Sequence, residues 1–335
     1  MKRLKLISLF VTTLIISGCG QSVIEVTNAN FVAPVKEEGF FSTSGWTAKS
    51  GANEVVKDQA FVQVDQKLYS IGGDQGNTWL SLNSKYDIAT DKWQLKTPMS
   101  TNRSGLTASV VDKKIYVIGG FDGGKGEWLS TLEVYDTSND TWSFKSFMKN
   151  KRSSLGSAAI NGKIYAVGGS LSKEEWTNKL EEYDPATDAW TNLESMTIAR
   201  AQIAVAAVNN RLYVLGGENE KGVLSSVEEY NPRTNKWTNK LDLPTPRANA
   251  EIVVYKSNII VMGGRNNSGQ LLDSIDIYNA DTNKWMSASK PLSRAMEGFG
   301  TSINSDGSQI YTYGGLTTTG VSDKLEMSNI EKISQ

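Results

Sequence analysis

The stretch Lys114-Ile-Tyr-Val-Ile-Gly-Gly120, followed by Leu132-Glu-Val-Tyr-Asp136 and by Trp142, decides the fold. It opens with an apolar, β-branched run that is typical of a strand and stops at two glycines. Because glycine has no Cβ, another surface can come close there, and we expect a layer of tyrosine and tryptophan side chains to fill that space. After a polar loop, the second run predicts another strand before a turn rich in Asp and Asn.

The same pattern recurs at a nearly constant interval along the chain. Successive glycine pairs begin 47, 49, 48, 47 and 51 residues apart, and after each of the first five a tyrosine is followed seven residues later by a tryptophan. The glycine pairs are Gly72-Gly73, Gly119-Gly120, Gly168-Gly169, Gly216-Gly217, Gly263-Gly264 and Gly314-Gly315; the aromatic pairs are Tyr86/Trp93, Tyr135/Trp142, Tyr183/Trp190, Tyr230/Trp237 and Tyr278/Trp285. A period of about 40–50 residues with four strand-like runs per unit is typical of a propeller blade. The repeated aromatic pairs are predicted to be core.

The sixth unit lacks its tryptophan, and the missing residue stands near the N-terminus. Trp46 precedes Gly72 by 26 residues, the interval at which four later tryptophans precede the next glycine pair. We therefore predict an all-β, six-bladed propeller with four-stranded antiparallel blades, strands a to d from the inside outward. Its last blade would be closed by an N-terminal strand around residues 45–48, which leaves no open edge in the ring. The expected blades are 54–100, 101–149, 150–197, 198–244, 245–292 and 293–330 with 43–50.

Charged residues also recur in equivalent places. An arginine follows the tryptophan by ten residues in four units, and an acid stands two residues before the next tyrosine. The sets are Arg103, Arg152, Arg200 and Arg247, and Glu133, Glu181, Glu228 and Asp276. This regularity favours ion pairs within or between blades, because a single active site would not need a copy in each blade. The alternative is that some guanidinium groups face the central pocket and bind a ligand carboxylate.

These motifs make the chain resemble the kelch-repeat family. The resemblance rests on the double glycine, the Tyr–Trp spacing and the arginine after the tryptophan, and it covers about residues 43–330. It implies a six-bladed kelch β-propeller. Two departures stand out: Met327 replaces the sixth tyrosine, and Lys57 stands near the sixth arginine position. Arg294, nine residues after Trp285, is interpreted as the fifth arginine.

The N-terminus is typical of an exported, lipid-modified protein. A positive start is followed by an apolar run, residues 6–17, that is too short to span a membrane. The segment Ile16-Ser17-Gly18-Cys19 resembles a bacterial lipobox, whose cysteine receives acyl chains such as palmitate. We predict a lipoprotein signal peptide over 1–18, lipidation at Cys19 and a tether over 19–42, with the domain in the bacterial cell envelope facing the periplasm or the exterior. The alternative is an ordinary signal peptide with a chance cysteine.

Recognition is expected on the face that carries the b–c and d–a loops. Strands alternate in direction within a blade, so these longer, varied loops open on one face and the short a–b and c–d turns on the other. Trp79, Trp128 and Trp176 stand seven residues before the strand-c tyrosine of the first three blades. They would stack on sugar rings or grip a partner's apolar side chains, or else pack over the blade ends. Gln202 and Asn249 are candidates for the same mouth.

Composition narrows the classes of function. The chain has no histidine and one cysteine, which excludes Ser-His-Asp and Cys-His catalysis, a His/Cys zinc site and an internal disulfide. A formal net charge of −1 gives no field that would attract nucleic acid. We therefore expect a monomeric, lipid-anchored module without metal or cofactor that binds a protein or a glycan. The alternative comes from the resemblance: exported bacterial kelch propellers include sialic-acid mutarotases, which need only groups such as Glu and Arg. The catalytic residues of such an enzyme stay unassigned.

Overall fold

The computed structural model describes residues 45–52 and 54–330, and in that part of the chain it contains six four-stranded antiparallel sheets. The inner strand of each sheet contacts the inner strands of two neighbouring sheets, and the last contacts the first. The sheets are therefore the blades of a closed six-bladed propeller, as the repeat predicts. The predicted signal peptide, Cys19 and the tether lie outside the described residues.

Each of the first five blades takes its four strands from one continuous segment. Strands a to d are Ala60–Val64, Lys67–Ile71, Asn83–Asp87 and Lys92–Leu95 in blade one; Thr107–Val111, Lys114–Ile118, Leu132–Asp136 and Thr141–Lys145 in blade two; Gly156–Ile160, Lys163–Val167, Leu180–Asp184 and Ala189–Leu193 in blade three; Ala204–Val208, Arg211–Leu215, Val227–Asn231 and Lys236–Asn239 in blade four; Glu251–Tyr255, Asn258–Met262, Ile275–Asn279 and Lys284–Ser287 in blade five.

Blade six combines both ends of the described chain. Its strands are Met296–Ile303, Gln309–Thr317, Leu325–Asn329 and the short N-terminal Thr47–Ala48, which pairs Thr47 with Met327. Trp46 is only 3% exposed, and its indole N–H donates to the carbonyl of Pro291 at 3.0 Å. The predicted closure by an N-terminal strand is confirmed.

Short hairpins in the b–c loops project beyond the blades. They pair Phe121–Asp122 with Glu127–Trp128, Ser170–Ser172 with Glu175–Trp176, and Glu218–Asn219 with Gly222–Val223. In blade six Gly320–Val321 pairs with the end of strand b. Trp128 and Trp176 lie on the hairpins of blades two and three, whereas Trp79 of blade one forms only an isolated bridge with Asp74.

The core lies between blades, because each sheet is too small to cover its own faces. Tyr183 of blade three is fully buried and packs against Tyr116 of blade two, with ring centroids 6.0 Å apart. Ile164, Ala166 and Leu132 belong to the same apolar cluster. Burial of each such aliphatic side chain is worth about 1.5–3 kcal/mol, so neighbouring blades stabilise one another.

The repeated tryptophans connect each blade to the preceding one by a hydrogen bond. Trp190 is half-buried on strand d and donates its indole N–H to the carbonyl of Ser146 in blade two at 2.7 Å. Asp188 accepts from the Ser146 amide at 2.9 Å and from the Tyr183 hydroxyl at 2.8 Å. The tyrosines are thus core as predicted. The tryptophans instead lie at the outer rim and act through a hydrogen bond as well as through packing.

The glycine pairs allow close approach, but not to the aromatic layer expected there. A Cβ on Gly168, whose φ is +62°, would meet the carbonyl oxygen of Arg200 at 2.7 Å and Ile203 at 2.8 Å. The neighbouring surface is therefore the d–a loop of the next blade, which the prediction missed. This contact brings the d–a and b–c loops together on one face.

Candidate functional site

Six backbone positions form a hydrogen-bonded circle at the mouth of the central channel. At each of them, the amide N–H donates to the carbonyl of the equivalent residue in the preceding blade, over 2.7–3.2 Å. The six residues are Asp58, Gly105, Ser154, Gln202, Asn249 and Gly298. All have a positive φ between 52° and 60°, a conformation that costs free energy in non-glycine residues and that clusters at functional sites. We call this circle the mouth circuit.

A cavity of about 300 Å³ lies beside the mouth circuit. Residues of the b–c hairpins and of the d–a loops both line it, which agrees with the expected recognition face. Its aromatic walls are Phe121, Trp128 and Trp176; its polar walls include Asp58, Ser154, Lys173, Gln202 and Glu218. The cavity therefore combines apolar area with charged and amide groups that differ from blade to blade.

The three candidate tryptophans divide into two roles. Trp128 and Trp176 line the cavity, and the Trp128 indole N–H donates to the Ser170 hydroxyl at 3.3 Å. Trp79 packs edge-to-face on Phe121, with centroids 6.2 Å apart, and covers Gly123, where a Cβ would overlap its indole. Trp79 thus packs over the end of a blade, as the alternative interpretation expects.

The four repeated arginines lie inside the blades, at 0–1% exposure. Arg152 pairs with Glu181 at 3.0 Å and donates to the carbonyls of Gly168 and Lys179. Arg103, Arg200 and Arg247 pair in the same way with Glu133, Glu228 and Asp276. The prediction of ion pairs within blades is confirmed. The alternative role for Arg103, Arg152, Arg200 and Arg247, binding of a ligand carboxylate, has no support, because their guanidinium groups face blade interiors.

The two irregular copies of the arginine position depart from the sequence interpretation. The carbonyl of Val56 accepts from Gly315 as that of Arg200 accepts from Gly169, so Val56 rather than Lys57 occupies the sixth position. By the same criterion Met296 holds the fifth. Arg294 nevertheless pairs with Glu326 at 2.9 Å, from two residues earlier.

The charges that remain at the mouth do not repeat. Lys57 lies between Asp58 at 2.8 Å and Asp74 at 3.1 Å. Burial alone would lower the pKa of Lys57, but the two carboxylates outweigh it and raise this pKa to about 12. In blade five, Arg265 lies between two carboxylates, those of Glu218 at 2.7 Å and Glu297 at 3.1 Å. Two cations thus face four carboxylates around the opening.

Gln202 and Asn249 both lie at the mouth, as predicted. The Gln202 side-chain oxygen accepts from Arg265 at 2.8 Å. The Asn249 amide donates to Asp58 at 2.9 Å, across the space that a side chain on Gly298 would occupy. These two amides therefore tie blades four and five into the charged network of the opening.

Beneath the mouth circuit, the central channel contains two smaller cavities of about 70 and 180 Å³. Glu251, the first residue of strand a in blade five, lines both. Desolvation, with a further contribution from the charge of Asp58, raises the pKa of Glu251 to about 8. A carboxyl with a pKa near this value holds its proton at pH 7 more often than an ordinary glutamate does.

Several of these residues were not singled out from the sequence. Phe121, Glu218 and Arg265 each follow directly after a glycine pair, at the position where the d–a strand is bridged to the b–c loop. The same position holds Asp74, Ser170 and Leu316 in the other blades. The sequence contained a signal: this position changes its chemistry in every unit, while the two glycines before it stay constant.

Two wider depressions, of about 550 and 340 Å³, lie on the opposite face. Their walls are mostly a–b and c–d turn residues such as Asn161 and Asn210, which have counterparts in other blades. They offer less blade-specific chemistry than the mouth.

Across residues 45–52 and 54–330, no helix has the length and apolar character needed to cross a membrane.

Comparison with known proteins places these features in a family. The family described as "KLHDC2/KLHL20/DRC7 Kelch-repeats domain" matches residues 58–241 and 202–334. Kelch-like protein 7 of Rattus norvegicus is 33% identical over 82 residues, which are 24% of this chain and 14% of that protein. Kelch repeat protein C2 of Vaccinia virus (strain Western Reserve) is 26% identical over 106 residues, which are 32% of this chain and 20% of the viral protein. The chain thus matches a fifth or less of the length of these curated relatives.

Proposed function

The chain belongs to the kelch-repeat family, whose propellers typically bind protein partners, and on this premise we propose that it is a protein-binding module whose partner docks on the mouth. The observation that carries the proposal is the cavity walled by Phe121, Trp128 and Trp176. Half-exposed aromatic side chains around a pocket are the groups that most often dominate the energy of protein interfaces.

The size of the cavity fits this role. At about 300 Å³ it stands at the lower end of the range for ligand pockets, about 300–1,000 Å³. It suits one or two projecting side chains better than a large cofactor. Lys173, Gln202 and Glu218 supply polar groups at its edge, which would fix the orientation of the partner.

A glycan would use the same tryptophans through stacking, and it is the alternative ligand that the test must separate. The sugar mutarotase alternative gains no support, because the four repeated arginines that could assist it are engaged in buried ion pairs.

The proposal extends to location. The lipobox-like Ile16-Ser17-Gly18-Cys19 supports export and acylation at Cys19, which would hold a monomeric propeller on the outer side of a bacterial membrane. The tether predicted over residues 19–42 would then separate the propeller from the membrane, so that the mouth can meet a partner in the envelope.

Site-specific photocrosslinking in the producing bacterium tests the binding face. A photoreactive amino acid would replace Lys173 at the mouth or, as a matched control, the exposed Asn210 on the opposite face. We expect a discrete crosslinked polypeptide only from position 173. Trp128→Ala and Trp176→Ala should each weaken binding of the purified partner at least about tenfold.

Equal crosslinking from both faces, or a partner whose affinity ignores both tryptophans, would overturn the proposal. Saturable binding on a glycan array that is lost in Trp176→Ala, with no polypeptide crosslink, would replace the protein with a glycan. For location, Cys19→Ser should abolish both acyl labelling and recovery in the membrane fraction; a variant that stays labelled contradicts the lipid anchor.

A further inference from the structure

The channel wall contains one acid without a counter-charge. Among Asp, Glu, Lys and Arg, the six inner strands carry only Glu251 and Glu297. Glu297 lies 3.1 Å from Arg265. Glu251 is half-exposed to the channel, and its carboxyl has no ion pair or hydrogen bond to any residue in 45–52 or 54–330. The carboxyl therefore faces the narrow channel without a partner among these residues.

The buried acids on the third strands of blades two to six are each paired with an arginine. Glu133, Glu181, Glu228 and Asp276 each meet an arginine, and Glu326 meets Arg294. A desolvated carboxylate without a partner is costly, so the pairing inside blades has a clear physical reason. The exception occurs only where the structure also provides an open space.

The space above and around Glu251 suits a slender, positively charged group. Entry is through the mouth circuit, where the four carboxylates outnumber the three cations Lys57, Lys173 and Arg265. Below it the wider cavity has mainly polar walls, which include the hydroxyl groups of Thr107, Ser157 and Thr301. These hydroxyl groups and the carboxyl would accept hydrogen bonds from an ammonium group at the end of a narrow alkyl chain.

We propose that the channel receives one alkylammonium group, of the kind carried by a lysine side chain, and that Glu251 is its counter-ion. The inference deepens the proposed function, since it names a chemical feature of the partner: a lysine projecting from the surface that docks on the mouth. A free alkylamine has the same chemistry, and the experiment distinguishes the two sources.

The groups facing Glu251 set the expected pH dependence. They are Asp58 at the entry to blade one and Glu297 on the inner strand of blade six; the inner strand of blade four, on the other side, has no charged residue. With the pKa of Glu251 at about 8, an arriving cation must displace a proton near neutral pH. Affinity should therefore rise with pH up to about 8, at most tenfold per pH unit, and binding should release a proton.

Calorimetric titration with n-butylammonium, using 1-butanol as the uncharged analogue, tests the site on the purified full chain. We expect the amine to bind and the alcohol not to. The binding heat at pH 7 should depend on the ionisation enthalpy of the buffer, which reports the released proton. Glu251→Gln should reduce amine affinity at least about tenfold and remove both the buffer and the pH dependence.

Glu127→Gln is the matched control, because Glu127 is an exposed acid beside Trp128 at the same face. It should leave amine affinity unchanged. Equal loss in both variants would show only general attraction of cations to an acidic face and would overturn the site. So would equal binding of amine and alcohol, or no binding at all by a protein whose unfolding is cooperative.

A second pair of probes identifies the source of the cation. Acetyl-Gly-Lys-Gly-amide should bind at least as well as n-butylammonium, and its norleucine analogue should not bind. Binding of the free amine without the peptide would overturn a polypeptide source. Because these titrations need no partner, the site can stand if crosslinking at the mouth fails, and it can fall while the protein-binding proposal stands.

Discussion

The acids inside the blades are fully buried and paired with a cation, whereas the acid in the channel is half-exposed and has no ion pair in the part of the chain that the structure describes. Glu181 has Arg152 at 3.0 Å, and the same arrangement recurs in blades two to five. Glu251 occurs once and has no such partner. The difference teaches that in this ring repeated charges hold the blades together, while charges that occur once are available for recognition.

Blade one lacks both members of the repeated arginine–acid ion pair. Val56 stands where blades two to five have arginine, and Ser84 stands where they have the acid. Both are buried, at 1% and 4% exposure. Arginine and acid are thus absent together, as expected if either charge alone would be left uncompensated in the interior.

The largest loss of stability should come from removing the N-terminal strand that closes blade six. A chain that begins at residue 51 lacks Trp46 and leaves the strand Leu325–Asn329 as an open edge. We expect a loss of about 5 kcal/mol in unfolding free energy from the buried indole and several backbone hydrogen bonds. A chain that begins at residue 43 should unfold in urea like the full chain. Equal stability of the two truncated chains would contradict the closure.

Next in size is the break of one ion pair. Arg152→Met leaves Glu181 buried without its cation and should cost about 3–5 kcal/mol. The double variant Arg152→Met/Glu181→Leu imitates blade one and should recover most of that loss. Urea unfolding of the two variants measures the difference. A double variant as unstable as the single one would mean that the pair is needed for more than mutual charge compensation.

Alanine substitutions at two tryptophans of blade three should differ in their effect on stability by a smaller amount. Trp190→Ala removes a ring that packs 5.1 Å from Tyr183 and the 2.7 Å bond to Ser146, at a cost of about 3 kcal/mol. Trp176→Ala acts on the cavity wall and should change stability by less than about 1 kcal/mol. Thermal unfolding compares them directly. If Trp176 proves the more costly, its role is structural and the proposed binding wall loses a member.

The last effect is a change of stability with pH and concerns Glu251. Its pKa is about 8 in the folded state and about 4.3 in an unfolded chain. The folded state therefore holds the proton over a window in which the unfolded state has lost it, so stability falls as pH rises from about 5 to 8. Relative to the Glu251→Gln variant, the wild type should lose at most about 1.4 kcal/mol per pH unit. Parallel unfolding curves for the two proteins across that range would contradict the burial of this carboxyl.

The repeat allowed much of the fold to be predicted. The spacing of glycine pairs, tyrosines and tryptophans is a local pattern, and each copy reports the same packing, so blade number, strand order and the role of Trp46 followed from it. Errors arose where a position was inferred by counting from one landmark. Arg294, nine residues after Trp285, was interpreted as the fifth arginine, whereas Met296, eleven residues after that tryptophan, holds the position, because residue counts shift where loops differ in length.

The candidate site was less accessible to the sequence. Trp128 and Trp176 were found because they stand at a fixed distance from a tyrosine, but nothing local distinguished them from Trp79, which packs over Gly123 of the next blade. Glu251 begins an ordinary strand. Its isolation depends on five other inner strands that approach it only after the ring has closed.

The mouth circuit has an electrostatic consequence. Its six amide-to-carbonyl bonds all run in the same sense around the axis, so their dipoles lie along tangents and cancel over a full turn. A charged group on the channel axis thus experiences almost no net electric field from the peptide groups of the mouth circuit. At a helix end, by contrast, the aligned peptide dipoles add up to a partial charge. Selection of a ligand by charge at the opening therefore depends on side chains. Substitution of these side chains could reverse the charge of the opening while the backbone hydrogen bonds of the mouth circuit are kept.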